Sequence, residues 1–150
     1  MVFLSLYRQN PDEVSRIIQH YENYLEGRSM TTQAVADKLV SLCREGKNEQ
    51  ALAELYADNC TSREMPGMPN EFVEGKPAII KKTEGWYASV EEIHSAEVGD
   101  PIVTENHFSC TMKFDVTFKE RGRQQMEEVC VFTVNDGKIT AKQFFYAMPG

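Results

Sequence analysis

From His107 to Lys119 apolar and polar residues alternate without a break, and no other feature of the sequence constrains the fold as strongly. Phe108, Cys110, Met112, Phe114, Val116 and Phe118 alternate with His107, Ser109, Thr111, Lys113, Asp115, Thr117 and Lys119. Successive side chains of a strand point to opposite faces, so this run is a strand with one face buried and the other wet. Residues 92–103, 124–134 and 138–147 read as its companions in an antiparallel meander. Glu120-Arg121-Gly122 and Asn135-Asp136-Gly137 each put Gly where a three-residue hairpin needs a left-handed residue. Such loops set Val116 opposite Met126 and Phe114 opposite Glu128. They also set Phe132 opposite Thr140, Cys130 opposite Lys142 and Glu128 opposite Phe144. The even-numbered residues of all three strands then share one face. A two-residue turn at Asp136-Gly137 shifts the register by one and puts Gln143 and Phe145 there instead.

The first half of the chain has helical periodicity. Asn10 can cap a helix whose first position suits Pro11, and Asp12 and Glu13 suit its positive end. Val14, Ile17, Ile18, Tyr21 and Leu25 recur at helical spacing until Gly27. Met30-Thr31-Thr32 reads as a second beginning, so residues 1–29 are expected to be an appended helix and residues 30–150 the domain proper. Val35, Leu39, Leu42 and Cys43 mark a helix ending at Gly46, and Ala51, Leu52 and Leu55 mark another from Asn48, its expected cap, to Tyr56. A short strand follows through Thr61-Ser62, then a loop at Met65-Pro66-Gly67-Met68-Pro69. Gly75-Lys76-Pro77 opens a further helix carrying Ile79, Lys82, Trp86 and Tyr87. The expected class is α+β.

Composition narrows the partners. Apolar residues form 41% of the 150, enough for a core, and the net charge is −7. That balance disfavours a nucleic acid, whose binding leans on clustered Lys and Arg. No apolar run reaches membrane-spanning length, and Met1 to Tyr7 lacks the basic flank of a signal peptide, so no membrane is expected. Cys43, Cys60, Cys110 and Cys130 form no CxxC pair. They read as buried free thiols of a cytoplasmic protein. Three scattered histidines, His20, His94 and His107, suggest no metal site, and no Gly-rich phosphate loop suggests a nucleotide cofactor.

Three stretches carry a resemblance: Glu54-Leu55-Tyr56-Ala57-Asp58, Glu74-Gly75-Lys76-Pro77-Ala78-Ile79, and Val131-Phe132-Thr133-Val134-Asn135-Asp136-Gly137-Lys138-Ile139. Their order, over about residues 31–147, resembles the cone-shaped folds named after nuclear transport factor two, among them ketosteroid isomerase and limonene epoxide hydrolase. Glu92-Ile93-His94-Ser95, Phe114-Asp115-Val116-Thr117-Phe118-Lys119 and Gln143-Phe144-Phe145-Tyr146 are similar to the SnoaL-like branch. The resemblance implies a cone-shaped curved antiparallel sheet wrapped around three helices, a pocket inside it, and often a homodimer. It implies no single activity. Cys130 stands where the isomerase has its oxyanion-side acid, and Phe144 falls near a carboxylate expected of the epoxide hydrolase. Both specific activities are therefore disfavoured.

Related cones use inner-strand carboxylates for acid–base work, and Glu128 is the counterpart here, between Met126 and Cys130. Apolar surroundings would raise its pKa toward a useful range. The competing reading is a structural pair with Lys142, diagonal to it on the expected register. His94 could trade a proton with Glu128 or simply bond at a strand end. Tyr146 could donate to a developing oxyanion. Trp86, Tyr87, Phe132 and Phe144 could line an aromatic pocket or simply pack in the core, and Glu64, Met65 and Met68 could form its mouth. The expected function is cofactor-independent proton transfer on a small, largely apolar organic molecule. The alternatives are a non-catalytic ligand-binding module or a dimerising interaction domain using the polar outer face.

Overall fold

The computed structural model describes residues 10–27 and 30–148. Among the described residues, four helices, α1 (Pro11–Gly27), α2 (Thr32–Arg44), α3 (Asn48–Leu55) and α4 (Lys76–Ser89), accompany seven strands. The strands are β1 (Tyr56–Arg63), β2 (Phe72–Glu74), β3 (Val90–Val98), β4 (Ile102–Val103), β5 (His107–Phe118), β6 (Gly122–Asn135) and β7 (Lys138–Phe145). They form one curved, open sheet in the order β2-β1-β7-β6-β5-β3, with β4 also paired to β5. All pairs are antiparallel except β1 with β7, which run parallel.

Local chemistry explains the helix ends. Asn10 Oδ1 accepts from the Glu13 N–H at 3.3 Å, and Thr31 Oγ1 from the Ala34 N–H at 3.1 Å, each satisfying an orphan donor of the first turn. Asn48 does not cap α3. It is the helix's first residue, behind Lys47, and its side-chain amide donates to the Tyr87 hydroxyl on α4. In α1, Val14 is buried while Ile17 and Ile18 are exposed. The expected strand 92–103 is two pieces, β3 and β4, because Gly99 and Pro101 interrupt it. A Cβ on Gly99 would lie 2.4 Å from Thr111 Oγ1, so β5 approaches as closely as only glycine allows.

Both hairpin registers differ from expectation, and the differences preserve the faces. In the first, Phe118 pairs with Gly122, so Phe114 faces Met126 and Met112 faces Glu128. That is a shift of two residues, which leaves the even-numbered set together. In the second, Asp136 (φ 49°) and Gly137 (φ 71°) make a two-residue turn with Asn135 opposite Lys138. Both left-handed residues are what a type I′ turn demands. Beyond Val134–Ile139 the ladder slips by one residue at Thr140, and pairing resumes with Phe132–Lys142 and Cys130–Phe144. One inserted residue reverses the facing of everything after it. The short turn and the bulge therefore cancel, Lys142 and Phe144 return to the inner face, and Phe145 stays exposed.

The core lies between the even-numbered face and helices α2 and α3. Phe108 and Phe132, paired across β5 and β6, stack at 4.5 Å with 14° between their planes. Val35, Leu39, Leu55, Ile79, Cys110, Cys130 and Ile139 close the layer around them. Burying each large apolar side chain contributes roughly 1.5–3 kcal/mol.

Candidate functional site

Past this sealed layer the same face opens. Met112, Phe114, Met126, Glu128, Lys142 and Phe144 are all half-buried, although their neighbours Cys110, Cys130 and Phe132 are fully covered. Lys82 and Trp86 of α4 and Glu64, just after β1, approach this concave stretch. Trp86 packs against Phe114 and edge-on to Phe118, each at 6.0 Å between ring centres.

Glu128 Oε1 accepts from the Cys130 thiol at 3.4 Å. Burial pushes the Glu128 carboxyl above its ordinary pKa, and the charge of Glu64 adds to that. The Cys130 hydrogen bond, Lys142 and Lys82 pull the other way without overcoming it. The thiols are held protonated. Burial raises Cys43 to about 11 and Cys110 to about 12, and raises Cys130 further, so none is poised as a nucleophile.

A polar chain closes one side of the concavity. Lys82 Nζ pairs with Glu64 Oε1 at 2.6 Å and reaches Ser62 Oγ at 3.3 Å. Tyr146 OH donates to Glu64 Oε2 at 2.9 Å and also lies against the Met65 backbone N–H. Burial, with the Glu64 hydrogen bond, pushes the phenol up to about 12. Lys142, flanked in register by Phe132 of β6 and Ser62 of β1, is treated differently. Its Nζ lies 5.1 Å from the Phe144 ring centre and 5.5 Å from that of Tyr56. Among the described residues it has no hydrogen bond or ion pair.

Residues 30–146 match the family described as the SnoaL-like domain. The chain belongs to the SnoaL-like family. A protein from Mesorhizobium loti, described as a candidate SnoaL-like polyketide cyclase and a carbohydrate phosphatase, is 36% identical over 78% of this chain and 100% of its own, with a TM-score of 0.75. Two more distant structures share the fold. A cystatin-like protein of unknown function from Xanthomonas campestris is 15% identical, with a TM-score of 0.67 over 79% of this chain and 92% of its own. A candidate isomerase from Bacillus subtilis is 17% identical, with a TM-score of 0.59 over 75% of this chain and 84% of its own. No curated protein matches the chain.

Within this SnoaL-like cone the expected site residues divide. Glu128, Cys130, Lys142, Phe144 and Trp86 lie on or against one concave face, with Tyr146 and Met65 at its edge. Phe132 belongs to the sealed layer beneath. His94 does not join Glu128. It occupies an irregularity in β3, and its Nε2 lies 2.7 Å from Thr117 Oγ1, on the odd-numbered outer face. The bulge turns the ring outward, and period-two reading cannot foresee a bulge. Tyr87 is likewise spent on joining α4 to α3 through Asn48. The expected Glu128–Lys142 pair is absent as well, because the slipped register sets Lys142 opposite Phe132, two steps from Glu128 along the face.

Lys82 and Ser62 escaped the sequence reading as site residues, and Glu64 was expected only at the mouth. Lys82 had a legible signal, since it lies three residues after buried Ile79 and four before Trp86, on one helical face. Cys60, Ser62 and Glu64 share a period-two face of β1 in the same way. Two open surface depressions lie elsewhere. One is between Arg44 and Pro101, the other on the outer face around Lys113 and Glu127, and neither includes Glu128.

Proposed function

We propose that this SnoaL-like protein binds a small, largely apolar organic molecule in the cone and moves a proton on it without a cofactor, with Glu128 as the acid or base. The observation that carries the reading is a half-buried carboxyl on the concave face whose pKa burial has raised. Such a group can hold and release a proton nearer neutrality than a solvated one. Trp86, Phe114, Phe144 and the methionines supply apolar walls. Tyr146 supplies a phenol beside the site, and its donor role requires exchanging the bond to Glu64 for one to the ligand. The M. loti relative's description as a cyclase, and the B. subtilis protein's as an isomerase, are compatible with proton-transfer chemistry.

The test is deuterium uptake in D2O at the carbon beside the carbonyl of small cyclic ketones and enones, followed by proton NMR. Wild type should exchange at least one of them, and Glu128→Gln should lower that rate by about 10²–10⁴-fold while ligand binding persists. Equal exchange by both forms sinks the proposal.

A second reading, pairing of two copies through the outer face, has its own observation. Val129 and Phe145 stand directly opposite each other across β6 and β7, and both are exposed. A homodimer would cover them, while a monomer in sedimentation at micromolar concentration would rule this out. We place the protein in the cytoplasm, where the four free thiols would stay reduced. No helix among the described residues is long and apolar enough to cross a membrane.

A further inference from the structure

We propose that Lys142 is a nucleophilic amine that condenses with the carbonyl group of a small aldehyde or ketone in the cone, forming an imine. The inference rests on the reading above only in needing a concave face that admits a ligand.

The geometry singles this lysine out. Two amines look onto the ring of Phe144, Lys82 at 5.5 Å and Lys142 at 5.1 Å, and only one has a counter-ion. Lys82 is paired with Glu64 at 2.6 Å. Among the described residues, Lys142 meets the aromatic faces of Phe144 and Tyr56 and no counter-ion. Its nitrogen is not wholly sealed, since every fully buried side-chain nitrogen or oxygen among the described residues has a hydrogen-bond partner and this one has none. An amine without a hydrogen bond, largely desolvated and near a second lysine, is the arrangement that turns lysine into a nucleophile. The proton balance agrees. Burial first and Lys82 second lower the Lys142 pKa, while Cys130, Glu64 and Cys60 oppose the change. Glu128 on β6 and Cys43 on α2 also feel its charge. Lys82 is engaged by Glu64, and Lys142 is the amine whose proton is held less tightly than usual.

The step balances without an oxidant or reductant. The neutral nitrogen's lone pair forms the C–N bond while the carbonyl π pair moves to oxygen. A proton passes from nitrogen to that oxygen, giving a carbinolamine. The C–O bond then breaks with a proton from solvent, water leaves, and the resulting iminium nitrogen returns one proton to solvent to give the imine. One amine and one carbonyl yield one imine and one water. The imine withdraws electrons from the adjacent carbon and so acidifies the proton that Glu128 is proposed to move.

The experiment treats the full chain with propanal and sodium cyanoborohydride at pH 7, then reads N-propylated lysines by peptide mass spectrometry. Lys142 should be labelled about tenfold or more faster than exposed Lys38 and Lys113. Lys142→Met should lose that label. If this variant does not fold, Lys82→Gln carries the test, because it keeps a hydrogen-bonding partner for Glu64 but removes the neighbouring charge. Its Lys142 should label more slowly at pH 7, with the pH dependence moved upward, which a purely packing role for Lys142 would not produce. Labelling no faster than at the surface lysines, or an unmoved pH profile in Lys82→Gln, overturns the assignment. Failed trapping alongside Glu128-dependent deuterium exchange would leave the proton-transfer reading standing. Lys142 trapping without that exchange would do the reverse.

Discussion

Two stretches of one sheet face, built from the same three strands, behave in opposite ways. Around Phe108, Cys110, Cys130 and Phe132 the face is dry and sealed beneath α2 and α3. A few residues along, Met112, Phe114, Met126 and Glu128 are only half-buried, with Trp86 of α4 against Phe114. The period-two pattern is the same in both. What differs is the second layer: Val35, Leu39, Leu52 and Leu55 cover one stretch completely, and α4, whose only buried residue is Ile79, covers the other sparsely. A sheet thus makes a core where helices close over it, and leaves a half-covered face where they stop short.

Substitutions can break or sharpen that contrast. The largest effect is expected from Phe132→Ala, which empties the stacked pair and should cost about 3–5 kcal/mol in denaturant unfolding. Phe114→Ala, on the open stretch, should cost less than half as much, and equal costs would erase the distinction. Next is Lys82→Met. It strips the ion-pair partner from Glu64, whose side chain is 17% exposed, leaving it the Tyr146 hydroxyl, and should cost about 1–3 kcal/mol by the same measurement. Smaller is Glu128→Gln, whose effect on stability depends on pH. Burial raises this carboxyl, so the folded chain keeps the proton to higher pH than the unfolded chain does. This group's contribution to stability is therefore fully present below the ordinary carboxylate range and is lost as pH rises through the raised value. The variant lacks that fall, so its denaturation midpoint should gain on wild type across this window and run parallel below it. The smallest effect belongs to the outer face. Arg123 holds Asp115 at about 2 through paired hydrogen bonds of 2.8 Å. Arg123→Gln should let that carboxyl titrate nearer its ordinary value by NMR while leaving the concave face unchanged.

Much of the architecture was legible because each local signal agreed with its neighbours. The alternation through Phe118, the glycines at 122 and 137, and the apolar spacing of Val35, Leu39 and Leu42 each named an element, and those elements exist. The site was legible only in part. Glu128 followed from parity alone, which a register shift of two residues leaves intact. Lys142 reached the same face by a different route, a short turn corrected by a bulge at Thr140. His94, read either as a proton partner of Glu128 or as a hydrogen-bonded residue at a strand end, is bonded to Thr117 at a bulge in β3. Bulges arise from the twist and closure of the whole sheet, and no window of a few residues carries that information.

By itself the sequence determined the α+β class, the strand and helix segments, and which residues alternate, because periodicity and turn chemistry act over a few residues. Only the tertiary structure decided that β1 lies parallel beside β7 and that Lys82 and Glu64 pair across the concavity. It alone left Lys142 with aromatic rings in place of a carboxylate. Those facts depend on segments distant along the chain meeting in space, and burial and charge take their values only once they have met.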